Sequence, residues 1–179
     1  MGIPTLISTA TASDASSVDI TSGIDSTYDE YMFVFTDINP ASTSTFMFQV
    51  NAAGQSGFNE TITSAIFKAS HYENDASADV NYAAGGDQAQ GTGKQFLCNT
   101  SGGADESCAG ILHLFNPAST TYVKHFYCRM AAHADADPLR YTQDSFVAGY
   151  VNITAAVDEI TFLMLSGNFD GVIQMYGIA

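Results

Sequence analysis

The chain has 179 residues, 46% of them apolar, and a formal net charge of −14 set by 19 acids against five cations, Lys68, Lys94, Lys124, Arg129 and Arg140. Nucleic-acid binding needs clustered Lys and Arg to displace counterions from phosphate, and docking on anionic membranes needs the same, so both partners are excluded. The length suits one domain that buries a sizeable core without disulfides, and the charge favours solubility.

No basic segment precedes an apolar one in the first 20 residues, so no signal peptide is expected. No apolar run reaches the roughly 20 residues of a membrane helix. Synthesis in a cytoplasm, with release by lysis, is the expectation. Cys98, Cys108 and Cys128 are an odd set without a leader, which argues against a disulfide framework and for buried thiols. A Cys98–Cys108 bridge across one loop stays open.

Residues 1–27 are small and polar, and Pro4 blocks central-strand pairing. The first dozen residues read as an extended arm; Val18 and Ile20 alternate with Asp19 and Thr21 as in an edge strand. Residues 28–37 (YDEYMFVFTD) predict a strand with Tyr31, Phe33 and Phe35 on one face and Met32 and Val34 on the other. Asn39-Pro40 stops it, and residues 45–51 (TFMFQVN) return with Phe46, Phe48 and Val50 on one face, as in a hairpin. Residues 61–72 hold a strand centred on Ile66 and Phe67. Residues 73–93 carry no clear element and predict a long loop at one tip.

Short strands follow at 94–98 and 108–115, the latter stopped by Asn116-Pro117. Residues 121–130 (TYVKHFYCRM) are its hairpin partner, 131–138 a loop, and 146–151 another strand. The terminal stretch, 158–178, has two apolar runs around Ser166-Gly167-Asn168-Phe169-Asp170-Gly171. It reads as a core hairpin closing the fold. About nine or ten short strands with Gly, Asn and Pro turns mean a sandwich or barrel. The fold class expected is all-β, a single antiparallel β-sandwich, jelly-roll-like, with an extended N-terminal arm. Residues 1–21 are the arm and edge strand; 22–179 are the sandwich.

Motifs for chemistry are weak. Gly91-Thr92-Gly93-Lys94 fails as a phosphate loop, because Gln88 and Gln95 stand where Gly and Ser or Thr are needed. His113 and His125 fall on neighbouring strands, near Cys108 and Cys128, but no zinc spacing is present and hydrogen-bonded sheet histidines are the plainer reading. Asp135 and Asp137, and the acids of 73–79, read as solvated loop charge over calcium ligands, since no DxDxDG loop exists. No GxSxG elbow is present. Asp29, Glu30 and Asp144 are the strand-edge acids, and paired carboxylates stay open as a glycosidase option. No enzyme activity and no cofactor is expected. Tyr72, Tyr82 and Tyr141 lie in or beside polar loops, where rings stack on sugars or proteins.

Four segments resemble small virion structural proteins of tailed bacteriophages, marine ones especially: IPTLISTATAS at 3–13, SGIDSTYDEYMFVFTDINPA at 22–41, ILHLFNPASTTYVKHF at 111–126 and AVDEITFLMLSGNFDGVIQMYGI at 156–178. They span the chain, so a complete protein is expected. The resemblance implies a non-enzymatic structural protein located in the virion, with other virion proteins and itself as partners. The expected form is a capsid-surface decoration or knob, assembled as a symmetric oligomer, a homotrimer. Ile3, Pro4, Leu6 and Ile7 are the candidate attachment arm. The alternative is a tail-associated receptor-binding module that grips a host-surface glycan or protein through Tyr72, Asp75, Asp79, Tyr82 and Asp87. A carbohydrate-binding domain is the third option.

Overall fold

A computed structural model describes residues 2–136 and 139–179. Among these, thirteen strands run in order: β1 (Thr5–Ala15), β2 (Ser17–Ile20), β3 (Glu30–Pro40), β4 (Ser44–Ala52), β5 (Ile62–Tyr72), β6 (Ala78–Tyr82), β7 (Ala89–Gly91), β8 (Gln95–Thr100), β9 (Cys108–Phe115), β10 (Lys124–Ala136), β11 (Leu139–Val151), β12 (Val157–Met164) and β13 (Phe169–Ile178). All pairings are antiparallel. The wide sheet has the order β1-β13-β3-β9-β10-β11-β5-β6, with β7 also on β5; the narrow sheet has the order β2-β12-β4-β8. The two pack as a sandwich, and the all-β class expected from the sequence holds.

Alternation decides which side chains meet between the sheets. Tyr31, Phe33 and Phe35 of β3 point inward, as do Leu112 and Leu114 of β9 and Phe126, Cys128 and Met130 of β10. Phe46, Phe48 and Val50 of β4 meet them from the narrow sheet. Phe162 is the hub: its ring lies 5.1 Å from Phe35, 5.5 Å from Phe33 and 6.1 Å from Phe46. Strand β4 is buried along its whole length. Its second face is covered by loops: Gln49 Nε2 donates to Glu60 O (2.9 Å) and Gly93 O (2.9 Å), and Asn51 Nδ2 to Gln55 O (2.8 Å).

The terminal stretch is not a hairpin. β12 pairs with β2 and β4 in the narrow sheet, while β13 pairs with β1 and β3 in the wide one. Residues 165–168 therefore arch from one sheet to the other. The same is true of β3 and β4, also expected to be a hairpin: they face each other across the core. The link between β1 and β2 is a third arch, and the three stack at one end. Ala41 N donates to Asn168 O (2.9 Å), Asn168 Nδ2 donates to Asp14 O (2.9 Å), and Asp14 N donates to Asp170 Oδ1 (2.7 Å). Asp14 supports this with a left-handed φ of 49°, a conformation Asp tolerates better than most residues.

Other boundaries shift. The predicted loop at 73–93 contains β6 and β7, and the predicted loop at 131–138 is mostly a continuation of β10. Both stretches are rich in Ala and Asp, poor strand formers whose pairing with β5 and β11 overrides propensity. Within this chain, the stretch expected as an arm is held as strand: β1 pairs with β13 from Thr5↔Gly177 to Ala15↔Phe169. The β9–β10 hairpin forms as expected.

Candidate interaction face

The sequence-predicted recognition residues fall into two groups on the β5–β6 edge. Tyr72 ends β5, with its ring 5.1 Å from Tyr141. Asp75 sits in the following turn at φ 58°, 3.2 Å from His71 Nε2. Asp79 lies on β6 and accepts from Asn81 Nδ2 (2.8 Å). Tyr82 closes β6, and its hydroxyl donates to Asp87 (2.6 Å); that hydrogen bond holds the phenol above its ordinary pKa. The structure joins Tyr82 to Asp87 and separates both from Tyr72 and Asp75 by the length of β6. Of the arm residues, Ile3, Pro4 and Leu6 are exposed, while Ile7 packs on the core.

The metal readings do not assemble. His113 and His125 point out of the wide sheet, whereas Cys108 and Cys128 point into the core. One sheet thickness parts the two sets, because neighbours in a strand alternate sides. Among the described residues no three His, Cys, Asp or Glu side chains converge on a metal position. Asp137 lies outside the described residues. Glu30 and Asp144 sit on β3 and β11, three inter-strand steps or about 14 Å apart at the least, against the roughly 5–9.5 Å of a glycosidase pair. Lys94, from the failed phosphate loop, donates to Phe58 O (2.5 Å).

What the structure does assemble is the outer face of the wide sheet. Register places side chains in cross-strand rows. One row runs Val34–Ile111–Arg129–Phe146–Phe67–Tyr82 across β3, β9, β10, β11, β5 and β6. The next runs Met32–His113–Tyr127–Ala148–Ala65. Phe67 is 46% exposed, Tyr127 47% and Ile111 37%. The Phe67 and Phe146 rings stack at 4.7 Å and 6°, and the His113 ring stacks on Tyr127 at 4.5 Å. Between these stacks lies a groove of about 300 Å³ with Ala65 and Ala148 as its floor and Phe67, Phe146 and Tyr127 as walls.

The face also carries few acids. In the four rows from Glu30–Phe115 to Ala109–Ala131–Asp144–Ala69, the acids are Glu30 and Asp144, and each has a hydrogen-bonding partner on the same face. Glu30 contacts His113 Nδ1. Asp144 takes a two-pronged hydrogen bond from Arg129, at 3.1 and 2.7 Å, while the guanidinium lies 4.8 Å over Phe146.

No protein-family model matches the chain, and no curated protein matches it. The interaction face therefore rests on geometry alone. It was not among the sequence-predicted sites, yet a signal existed. On β9 and β10, outward Ile111, Phe115 and Tyr127 alternate with inward Leu112, Leu114, Phe126 and Cys128. A strand apolar on both faces is normally covered on both.

Proposed function

We propose that the chain is a non-enzymatic virion structural protein, a capsid-surface knob on a jelly-roll scaffold that assembles as a symmetric oligomer. The observation that carries the reading is the strand order. Eight strands fall into facing quartets, β1-β13-β3-β9 and β2-β12-β4-β8, and each consecutive pair β1/β2, β3/β4, β8/β9 and β12/β13 contributes one strand to each quartet. Such interleaving suits a double Greek key, an architecture of viral capsid and lectin domains. β10, β11, β5 and β6 widen one quartet beyond it.

A fold alone hosts many functions. Two features lean toward attachment: the four segments that resemble tailed-phage virion proteins, and the broad apolar face of the wide sheet, which suits protein contacts. Gold-labelled antibodies against the chain, viewed on purified phage particles, test the reading. Labelled heads support it, and particles without label refute it.

Tail-borne host recognition is the second reading, and β6 favours it. This edge strand is exposed at every residue, with Val80 at 70% and Tyr82 at 57%. Label confined to tail tips would select it.

A further inference from the structure

We propose that the outer face of the wide sheet, from β3 to β5, binds the same face of a second copy about a two-fold axis. This deepens the oligomer part of the reading above by naming the contact and its symmetry.

Three observations converge on a second copy as the occupant. The first is charge. A chain of net −14 resists its own approach over most of its surface. In the patch between Glu30 and Asp144 those two are the only acids among the described residues; Asp144 is paired with Arg129 and Glu30 is hydrogen-bonded to His113. Face-to-face packing brings the acid-poor parts together and leaves the other acids outside.

The second is self-complementarity. An isologous contact needs each patch to carry both halves of every interaction. Arg129 and Asp144 lie side by side on β10 and β11 near the middle of the patch. A two-fold axis between them sets Arg129 of one copy against Asp144 of the other, twice. The groove has the same property: its floor is small (Ala65, Ala148) and its wall, Tyr127, is a large exposed ring. Each copy thus presents both a recess and a projecting ring to its partner.

The third is area. Five strands at about 4.8 Å spacing and about six residues along each strand give roughly 500 Å² of sheet face per copy. Two such faces bury about 1,000 Å², the lower limit for a specific interface. That predicts a dimer of modest affinity in isolation, reinforced where copies are held together on a particle. A trimer, expected from the sequence resemblance, would need a different and heterologous contact.

The test is sedimentation equilibrium of the full chain from 1 to 100 µM. The dimer predicts a mass rising toward twice 19.0 kDa. Tyr127→Glu and Phe67→Glu place charge in the contact and are expected to weaken dimerisation at least tenfold. Both positions are about half exposed, so the monomers stay folded, which circular dichroism checks. Val80→Glu, on the β6 edge outside the contact, is expected to leave the mass unchanged. As a second measurement on the unaltered chain, amide exchange is compared at the two ends of the concentration range; β9, β10 and β11 are expected to gain protection at the higher one. A monomer or a trimer at 100 µM overturns the proposal, as does a dimer indifferent to both Glu substitutions. Such an outcome leaves the virion reading standing, since that reading fails only on the particle itself.

Discussion

Cys98, Cys108 and Cys128 come from β8, β9 and β10, two in the wide sheet and one in the narrow, and all are fully buried as free thiols. The Cys108 thiol beside Cys98, together with burial, pushes Cys98 well above its ordinary pKa; burial does the same to Cys128. Native protein is expected to give no rapid reaction with a thiol reagent at pH 8 and to react fully once unfolded in guanidinium. Fast modification of the native state contradicts this burial. A thiol with a raised folded pKa favours the native state below its unfolded value of about 8.5, and that stability is lost as pH climbs toward the folded value. Relative to Cys98→Ala/Cys128→Ala, the unaltered chain is thus expected to lose more stability between pH 8 and 10, up to about 1.4 kcal/mol per pH unit per thiol. Parallel urea-midpoint curves for the two proteins count against it. The thiol character was legible, because an odd cysteine count points away from a full set of bridges. The outward direction of His113 and His125 was not, since facing depends on register that no single strand reveals.

At the scale of elements, the strands were largely legible and their partners were not. Period-2 alternation located β2, β3 and β4 and put Phe33, Phe35, Phe46 and Phe48 on their correct faces, and apolar runs located β12 and β13, whereas β1 was expected only as an extended arm. It does not say whether two successive strands pair edge to edge or face each other across a core, because Ser-Gly-Asn-Phe-Asp-Gly serves a hairpin and an arch equally. β6 and β7 were invisible for another reason: they are short, fully or largely exposed, and depend on β5 as a template. The stacked arches give an element-scale prediction. Ser44 Oγ donates to Ser166 O (3.0 Å) and accepts from Ser166 N (3.1 Å), tying the start of β4 to the β12–β13 arch. Ser44→Ala is expected to lower stability by about 1 kcal/mol, read from urea unfolding. Asn168→Ala, which unties that arch from Asp14, is expected to speed amide exchange in β1. Unchanged exchange there would show that the β1–β13 ladder holds the strand without the arch.

On the scale of the molecule, one aromatic core joins the two sheets, and Phe162 is in ring contact with three others. Phe162→Ala is expected to cost about 3–5 kcal/mol, and a loss under 1 kcal/mol would mean the sheets are held together elsewhere. The surface divides into an acidic majority and an acid-poor, apolar sheet face. Composition showed the first and concealed the second, because net charge carries no information about where the acids are missing. That division, on a scaffold ordered as two interleaved quartets, is the physical basis for reading the chain as a building block of a particle. Copy number tests this most directly: quantitative mass spectrometry of purified virions, with the chain counted against the major capsid protein. Hundreds of copies per particle are predicted, in fixed ratio to the capsid lattice. A chain absent from washed particles, though abundant in infected cells, would contradict the account.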